Sequence, residues 1–177
     1  MKYYIAGNRG LVGSHYNTVV LNALGGNTDT VDYSDATSTR AEFDRLSKTY
    51  GLPTHVVINA ATVGGLQEDL DFAYELMIKN LTIQNNIFNA CSEFGIDRVL
   101  LQGSTCSYPA EGSQPYTEDQ LMNGEPYKTY LPTAMPKLMG MYQCRAKNEK
   151  AGTHWRTAIN SNMFGPGDRT GEHAHVI

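Results

Sequence analysis

The chain has 177 residues, 41% hydrophobic and 18% charged, with a formal net charge of −4. That length and balance suit one soluble domain with a real core, and the weak acidity without any basic run argues against a nucleic-acid partner. No apolar stretch reaches membrane-span length and no secretory signal precedes the first strand pattern, so a cytoplasmic chain without membrane contact is expected. Cys91, Cys106 and Cys144 are odd in number and fit no metal spacing. Of the histidines only His173 and His175 lie close together, without other ligand types beside them, so no metal is expected.

Residues 2–6 read as a short buried strand. Gly7, Gly10 and Gly13 follow, spaced G-x-x-G-x-x-G, before an apolar helical pattern over 11–24 with Tyr16, Val19, Val20 and Leu24 on one face. Gly25 and Gly26 read as its stop, and 28–32 as a weak second strand. Thr37 and Ser38 can cap a helix over 39–50, which Gly51, Leu52 and Pro53 end. Residues 55–61, with Val56, Val57 and Ile58, read as a fully buried parallel strand. The stretch 66–94 is helical in its second half at least, and 98–102 is the next buried strand. A polar, Pro-rich loop spans 108–132, a helix 133–150 and a last strand 157–161. Strands alternating with helices predict an α/β fold: a Rossmann-type, doubly wound parallel sheet in three layers, filling 1–177.

Strand, glycine turn and helix start together suit a dinucleotide pyrophosphate. Bare backbone lets phosphates approach, and unpaired N–H groups at the positive helix end hold them. The structural alternative is a turn with a close helix–strand contact. In such sheets the ligand lies beyond the C-terminal strand ends. Small polar clusters fall there: 59–65 with Asn59, Ala60 and Ala61, 103–109 with Gly103, Ser104 and Thr105, and 161–166.

The segments IAGNRGLVGS, AATVGG, GSTCSYP, 162–166 and His175-Val176-Ile177 together resemble the GDP-L-fucose synthase family, which are extended short-chain dehydrogenase/reductases. The resemblance runs in order along nearly the whole chain. It implies epimerisation of GDP-4-keto-6-deoxy-mannose at C3 and C5, then NADPH reduction at C4. It implies that Gly7, Asn8, Arg9, Gly10, Leu11, Val12 and Gly13 bind the pyrophosphate, with Ala60 and Ala61 beside the cofactor. Gln102, Gly103, Ser104 and Thr105, with Asn160, Ser161, Asn162 and Met163, would line the nicotinamide side. Ser104 would hydrogen-bond the C4 oxygen, Cys106 would be the epimerisation base and His175 the acid. A thiol and an imidazole are suited to exchanging protons next to a ketone. As structural alternatives, Cys106 is a small buried hydrophobe and His175 an exposed tail residue.

Lys137 matches the lysine of the family's Tyr-x-x-x-Lys pair, which holds the nicotinamide ribose and acidifies the tyrosine that protonates the C4 oxygen. Thr133 stands at the tyrosine position. A threonine hydroxyl is a far weaker acid and a ring shorter; its structural reading is a helix N-cap. Tyr127 and Tyr130 precede Pro132 and would have to fold back to substitute. Family members that bind NADP carry basic residues after the second strand, whereas here Asp32 suits a ribose 2′-hydroxyl and hence NAD(H). Arg9 and Arg40 are the cations available for a 2′-phosphate. The family's C-terminal substrate domain would begin where this sequence stops. The resemblance also implies a homodimer through a four-helix contact, with Leu76, Met77, Leu81, Ile83, Ile87, Leu138, Met139 and Met141 as its apolar surface; the structural alternative is that these residues face the domain's own sheet. Two rivals stand beside the epimerase/reductase reading: another extended short-chain nucleotide-sugar epimerase or dehydratase, and a catalytically impaired dinucleotide-binding module.

Overall fold

The computed structural model describes residues 1–168, apart from the side chain of Leu66. Five parallel strands form one sheet: β1 (Tyr3–Ala6), β2 (Leu24–Gly26), β3 (His55–Ile58), β4 (Arg98–Gln102) and β5 (His154–Ala158), in the order β2-β1-β3-β4-β5. The connecting helices are α1 (Leu11–Val19), α2 (Ala36–Thr49), α3 (Leu66–Asp71), α4 (Ala73–Glu93) and α5 (Leu131–Ala151). The strand order reverses between β1 and β3, which opens a crevice at their C-terminal ends.

Alternate strand residues sort the core. Tyr4, Ala6, Val56, Ile58, Val99, Leu101 and Trp155 share one cluster with Phe43 and Leu46 of α2, Ile83, Ile87 and Phe88 of α4, and Cys144 of α5. Ile5 and Val57 are buried on the opposite face, where the right-handed crossover from β1 to β2 puts α1. The result is the expected three-layer, Rossmann-type sheet.

Several boundaries differ from the sequence reading. The helix expected over 11–24 ends at Val19, and Leu24, Gly25 and Gly26 form β2. Two glycines carry little strand propensity, but close packing requires them. A Cβ at Gly25 would overlap the Asn8 side chain, and one at Gly26 would overlap the hydroxyls of Tyr4 and Tyr33. Residues 28–32 are therefore not a strand. The cap of α2 is Asp35, whose carboxylate accepts the Ser38 N–H at 2.6 Å, rather than Thr37 or Ser38. The last strand sits three residues earlier than expected because Trp155 is the residue that enters the core.

The apolar residues expected to pair two subunits divide. Leu76, Ile83, Ile87, Leu138 and Met141 are buried within this chain; their helical spacing turns them toward the chain's own interior. Met77 and Leu81 are half-buried, whereas Met139 is exposed along with Tyr74, Ile78 and Tyr142. No described helix is long and apolar enough to cross a membrane. Among the described residues no His, Cys, Asp and Glu group comes together to hold a metal.

Candidate functional site

The glycine turn sits on the C-terminal edge of β1. Gly7 has φ +83°, and the N–H groups of Gly7 and Asn8 donate to the Gly26 carbonyl at 2.8 and 3.2 Å. A Cβ at Gly7 would lie 2.7 Å from the Ala60 nitrogen, and one at Gly13 would overlap the Gly7 carbonyl oxygen. These two glycines are demanded by the fold. Gly10 is not. It has φ −67°, which any residue adopts, and the nearest atom to a Cβ there would be 3.6 Å away. Gly10 is the N-cap of α1, no side chain caps that helix, and its first turn carries no acidic residue. An open helix N-terminus faces the space a Gly10 side chain would fill, and that suits a pyrophosphate. Asn59, directly after β3, has both side-chain polar atoms buried without a hydrogen-bond partner. Buried amides are costly when unpaired, so a polar ligand group in the crevice would relieve it. The glycine cradle and the orphaned amide fit a bound dinucleotide.

The other half of the edge lies at β4 and β5. Gln102 donates to the Tyr16 hydroxyl of α1 at 2.9 Å and accepts from the Asn160 amide. Gly103 N–H donates to the Ala158 carbonyl at 2.7 Å, and Thr105 N–H to that of Asn160 at 2.9 Å. Ser104 caps the 3-10 turn Thr105–Ser107, its Oγ accepting the Cys106 N–H at 3.2 Å. Cys106 is a half-exposed free thiol. Ser161, Asn162 and Met163 extend past β5 and are exposed.

Lys137 is delivered to this cluster by α5. Gly140, one turn later, lets the helix lie close, since a Cβ there would overlap Leu101 and press on Gln84. The Lys137 ammonium donates to the Gly103 carbonyl at 3.3 Å. Burial lowers its pKa from the ordinary 10.5, and the nearby Cys106 partly opposes that shift. A buried lysine on one carbonyl has donors left for ligand hydroxyls.

Thr133 lies four residues before Lys137 and so shares its helix face. It is not the N-cap. Tyr130 holds that position at the end of the 3-10 turn Lys128–Tyr130, and the Thr133 hydroxyl donates to the Tyr130 carbonyl at 3.2 Å. Tyr130 does not fold back; it runs straight into α5, and its ring meets Tyr127 edge-on at 6.2 Å. His175 lies outside the described residues.

Asp32 is six residues past the end of β2, not in a strand, and its carboxylate accepts the Ser34 N–H and hydroxyl at 2.9 and 2.6 Å. Those bonds lower its pKa. Arg40 is turned away from the edge, bonded to Glu93 at 2.8 Å and lying over the Phe94 ring. Arg9 instead forms an ion pair with Asp29. Sequence reasoning missed Asn80. Its buried amide accepts the Thr62 N–H at 2.8 Å and donates to the Thr62 carbonyl at 2.9 Å, pinning the loop after β3 to α4. An asparagine in an apolar helix stretch was its available signal.

Comparison with known proteins finds relatives of the same fold. The pattern of the NAD dependent epimerase/dehydratase family matches residues 3–177. GDP-L-fucose synthase of Escherichia coli is 27% identical over 99% of this chain and 55% of its own length. GDP-L-fucose synthase 1 of Arabidopsis thaliana is 28% identical over 99% of this chain and 55% of its own. The chain thus spans about half the length of the curated relatives it matches. A GDP-L-fucose synthetase from Naegleria fowleri, solved with NADP bound, superposes with a TM-score of 0.87 at 29% identity, covering 99% of this chain and 55% of that one. With the sheet, the glycine cradle and the lysine on α5 already in place, the match makes the chain a member of the NAD dependent epimerase/dehydratase family.

Proposed function

We propose that the chain is the dinucleotide-binding part of an epimerase/reductase of GDP-L-fucose synthase type, acting in the cytoplasm on GDP-4-keto-6-deoxy-mannose, and that its reduction step is impaired. The observation that carries the reading is the placement of Lys137 on the Gly103 carbonyl beside Ser104 and Cys106, on the sheet edge that also holds the glycine cradle.

Gly7 to Gly13 hold the pyrophosphate at the α1 N-terminus, with Ala60 and Ala61 against the cofactor's flat surface. Lys137 binds the nicotinamide ribose, and Gln102 to Thr105 with Asn160 to Met163 line the nicotinamide side. A bound reduced nicotinamide would supply hydride to C4 of the sugar. Ser104 hydrogen-bonds the C4 oxygen of the substrate. Cys106 removes the acidic protons at C3 and C5, and His175 returns them from the other side. The C4 oxygen must also receive a proton as it is reduced. At Thr133 an aliphatic hydroxyl stands where the family has a phenol, and its proton is engaged by the Tyr130 carbonyl. A missing general acid typically slows a step by about 10²–10⁴-fold. Epimerisation does not use that group. In this reading two copies pair through the exposed apolar residues Tyr74, Ile78, Met139 and Tyr142 of α4 and α5; a monomer by sedimentation at tens of micromolar would contradict the pairing.

The test is deuterium exchange at C3 and C5 of GDP-4-keto-6-deoxy-mannose beside reduction, followed together. Exchange that Cys106→Ser abolishes, with little reduction, supports the reading. Reduction at ordinary enzyme rates of about 1–10³ s⁻¹ would assign the proton transfer elsewhere. The second reading, a dinucleotide-binding module without catalysis, is favoured by Thr133 and requires neither exchange nor reduction.

A further inference from the structure

We propose that Asp29, acting on Arg9, sets the form of the coenzyme, and that this chain takes NAD(H) in preference to NADP(H). The inference rests on the dinucleotide reading above and goes beyond it, since the Naegleria fowleri neighbour was solved with NADP.

In a doubly wound sheet the adenosine ribose of a dinucleotide lies between the first glycine turn and the end of the second strand. An acidic residue about 20 positions past the glycines there binds the 2′-hydroxyl, whereas a free arginine accommodates a 2′-phosphate. Sequence spacing alone admits both Asp29 and Asp32. The structure separates them. Asp32 lies beyond the turn and its carboxylate is occupied by Ser34. Asp29 lies in the turn that directly follows β2. The Asn27 side chain accepts the Asp29 N–H at 2.9 Å, and the Thr30 N–H donates to the Asn27 carbonyl at 2.9 Å.

That turn is clasped to the glycine turn at two points. Asn27 donates from its amide to the Asn8 side chain at 3.1 Å, and Asp29 pairs with Arg9. The bare Gly25 makes room for Asn8 between them. The clasp therefore holds Arg9 and Asp29 at the place where the ribose 2′ position would lie.

The pair carries no net charge. A 2′-phosphate that reaches the Arg9 guanidinium must also approach the Asp29 carboxylate, and like charges at that range repel. A 2′-hydroxyl can donate to the same carboxylate. The other cation expected to help a phosphate is drawn elsewhere. Arg40, the remaining one, is bound to Glu93.

The experiment is calorimetric titration of NADH and NADPH into the unmodified chain, Asp29→Asn and the double variant Asp29→Asn/Arg9→Gln, with a melting curve for each. Both residues are about two-thirds exposed, and exposed ion pairs contribute little to stability, so the variants should melt near the parent. The unmodified chain should bind NADH about tenfold more tightly than NADPH, the scale of one like-charge contact at a partly screened surface. Asp29→Asn should raise NADPH affinity until the ratio closes or reverses, and the double variant should lose that gain. Equal or tighter NADPH binding by the unmodified chain, or a ratio that Asp29→Asn leaves unchanged, overturns the inference alone. Binding of neither dinucleotide overturns the dinucleotide reading with it.

Discussion

At the α1 end the site is shaped by backbone, and at the α5 end by side chains. Around Gly7 and Gly13 the chain has almost no freedom: carbon added at either position would press into neighbouring main chain. Around Thr133 and Lys137 nothing in the packing dictates the chemistry. The ends of the helix are marked by Pro132 in its first turn and Gly152 at the C-cap, not by residue 133. A site built of backbone survives substitution as long as the fold does. A site built of reactive groups can lose one and leave the fold intact. On the proposed reading, the contrast is how a cradle held by packing and a Thr133 in place of a phenol can stand in one chain.

The largest effect expected is catalytic. In a fusion to the C-terminal part of a GDP-L-fucose synthase, Thr133→Tyr should raise reduction of GDP-4-keto-6-deoxy-mannose by about 10²–10⁴-fold, measured as oxidation of the reduced nicotinamide. No gain would show that the α5 end is not the reacting end.

Next in size is stability at the backbone end. Gly13→Ala should destabilise the chain by about 3 kcal/mol in urea unfolding, the upper part of the range for overpacking, because the Gly7 carbonyl cannot yield without moving β1. Gly10→Ala, three residues away, should cost under about 1 kcal/mol, as a substitution free of clash does. Similar losses at both positions would erase the distinction between glycines held by packing and the glycine kept open.

Asn80→Ala should cost about 1–3 kcal/mol, since it strands the Thr62 N–H and carbonyl. If the loop after β3 belongs to the backbone-built half, dinucleotide affinity should fall with it.

The smallest effect is a pH dependence. Burial holds Lys137 below its ordinary 10.5. Between that lowered value and 10.5 the unfolded chain binds more protons than the folded one, so stability rises with pH across that window. At lower pH both states carry the proton and the full cost of burying the charge is present. Lys137→Met should remove this component of the slope, read as the difference between two urea-unfolding series. An unchanged slope would mean that Lys137 stays hydrated.

The contrast also governs what could be read from the sequence. The buried strands around Val56 and Leu100 announce themselves by apolar runs, and the alternation of strands and helices gives the layers. The second strand did not, because two of its three residues are glycines, Gly25 kept bare by the Asn8 side chain and Gly26 by the hydroxyls of Tyr4 and Tyr33. The expected strand over 28–32 ended at Asp32, whereas the turn that directly follows β2 carries Asp29. The last strand was placed late because Trp155 enters the core between two exposed residues, His154 and Arg156. Lys137, Ser104 and Cys106 were singled out by the resemblance, and the structure brings Lys137 from α5 to the Gly103 carbonyl next to Ser104 in the chain. The apolar faces of α4 and α5 were legible as apolar but not as inward, since a helix stripe looks alike whether a sheet or a second chain covers it.

What separates an open cradle from a tight turn is whether a dinucleotide enters it at Gly10. Calorimetric titration of NADH into the unmodified chain and into Gly10→Val tests this most directly. The expected result is saturable binding by the unmodified chain and none by Gly10→Val, with a cooperative melting transition retained by Gly10→Val in the absence of ligand. Equal binding by both proteins, or none by the unmodified chain at millimolar NADH, would contradict the open cradle.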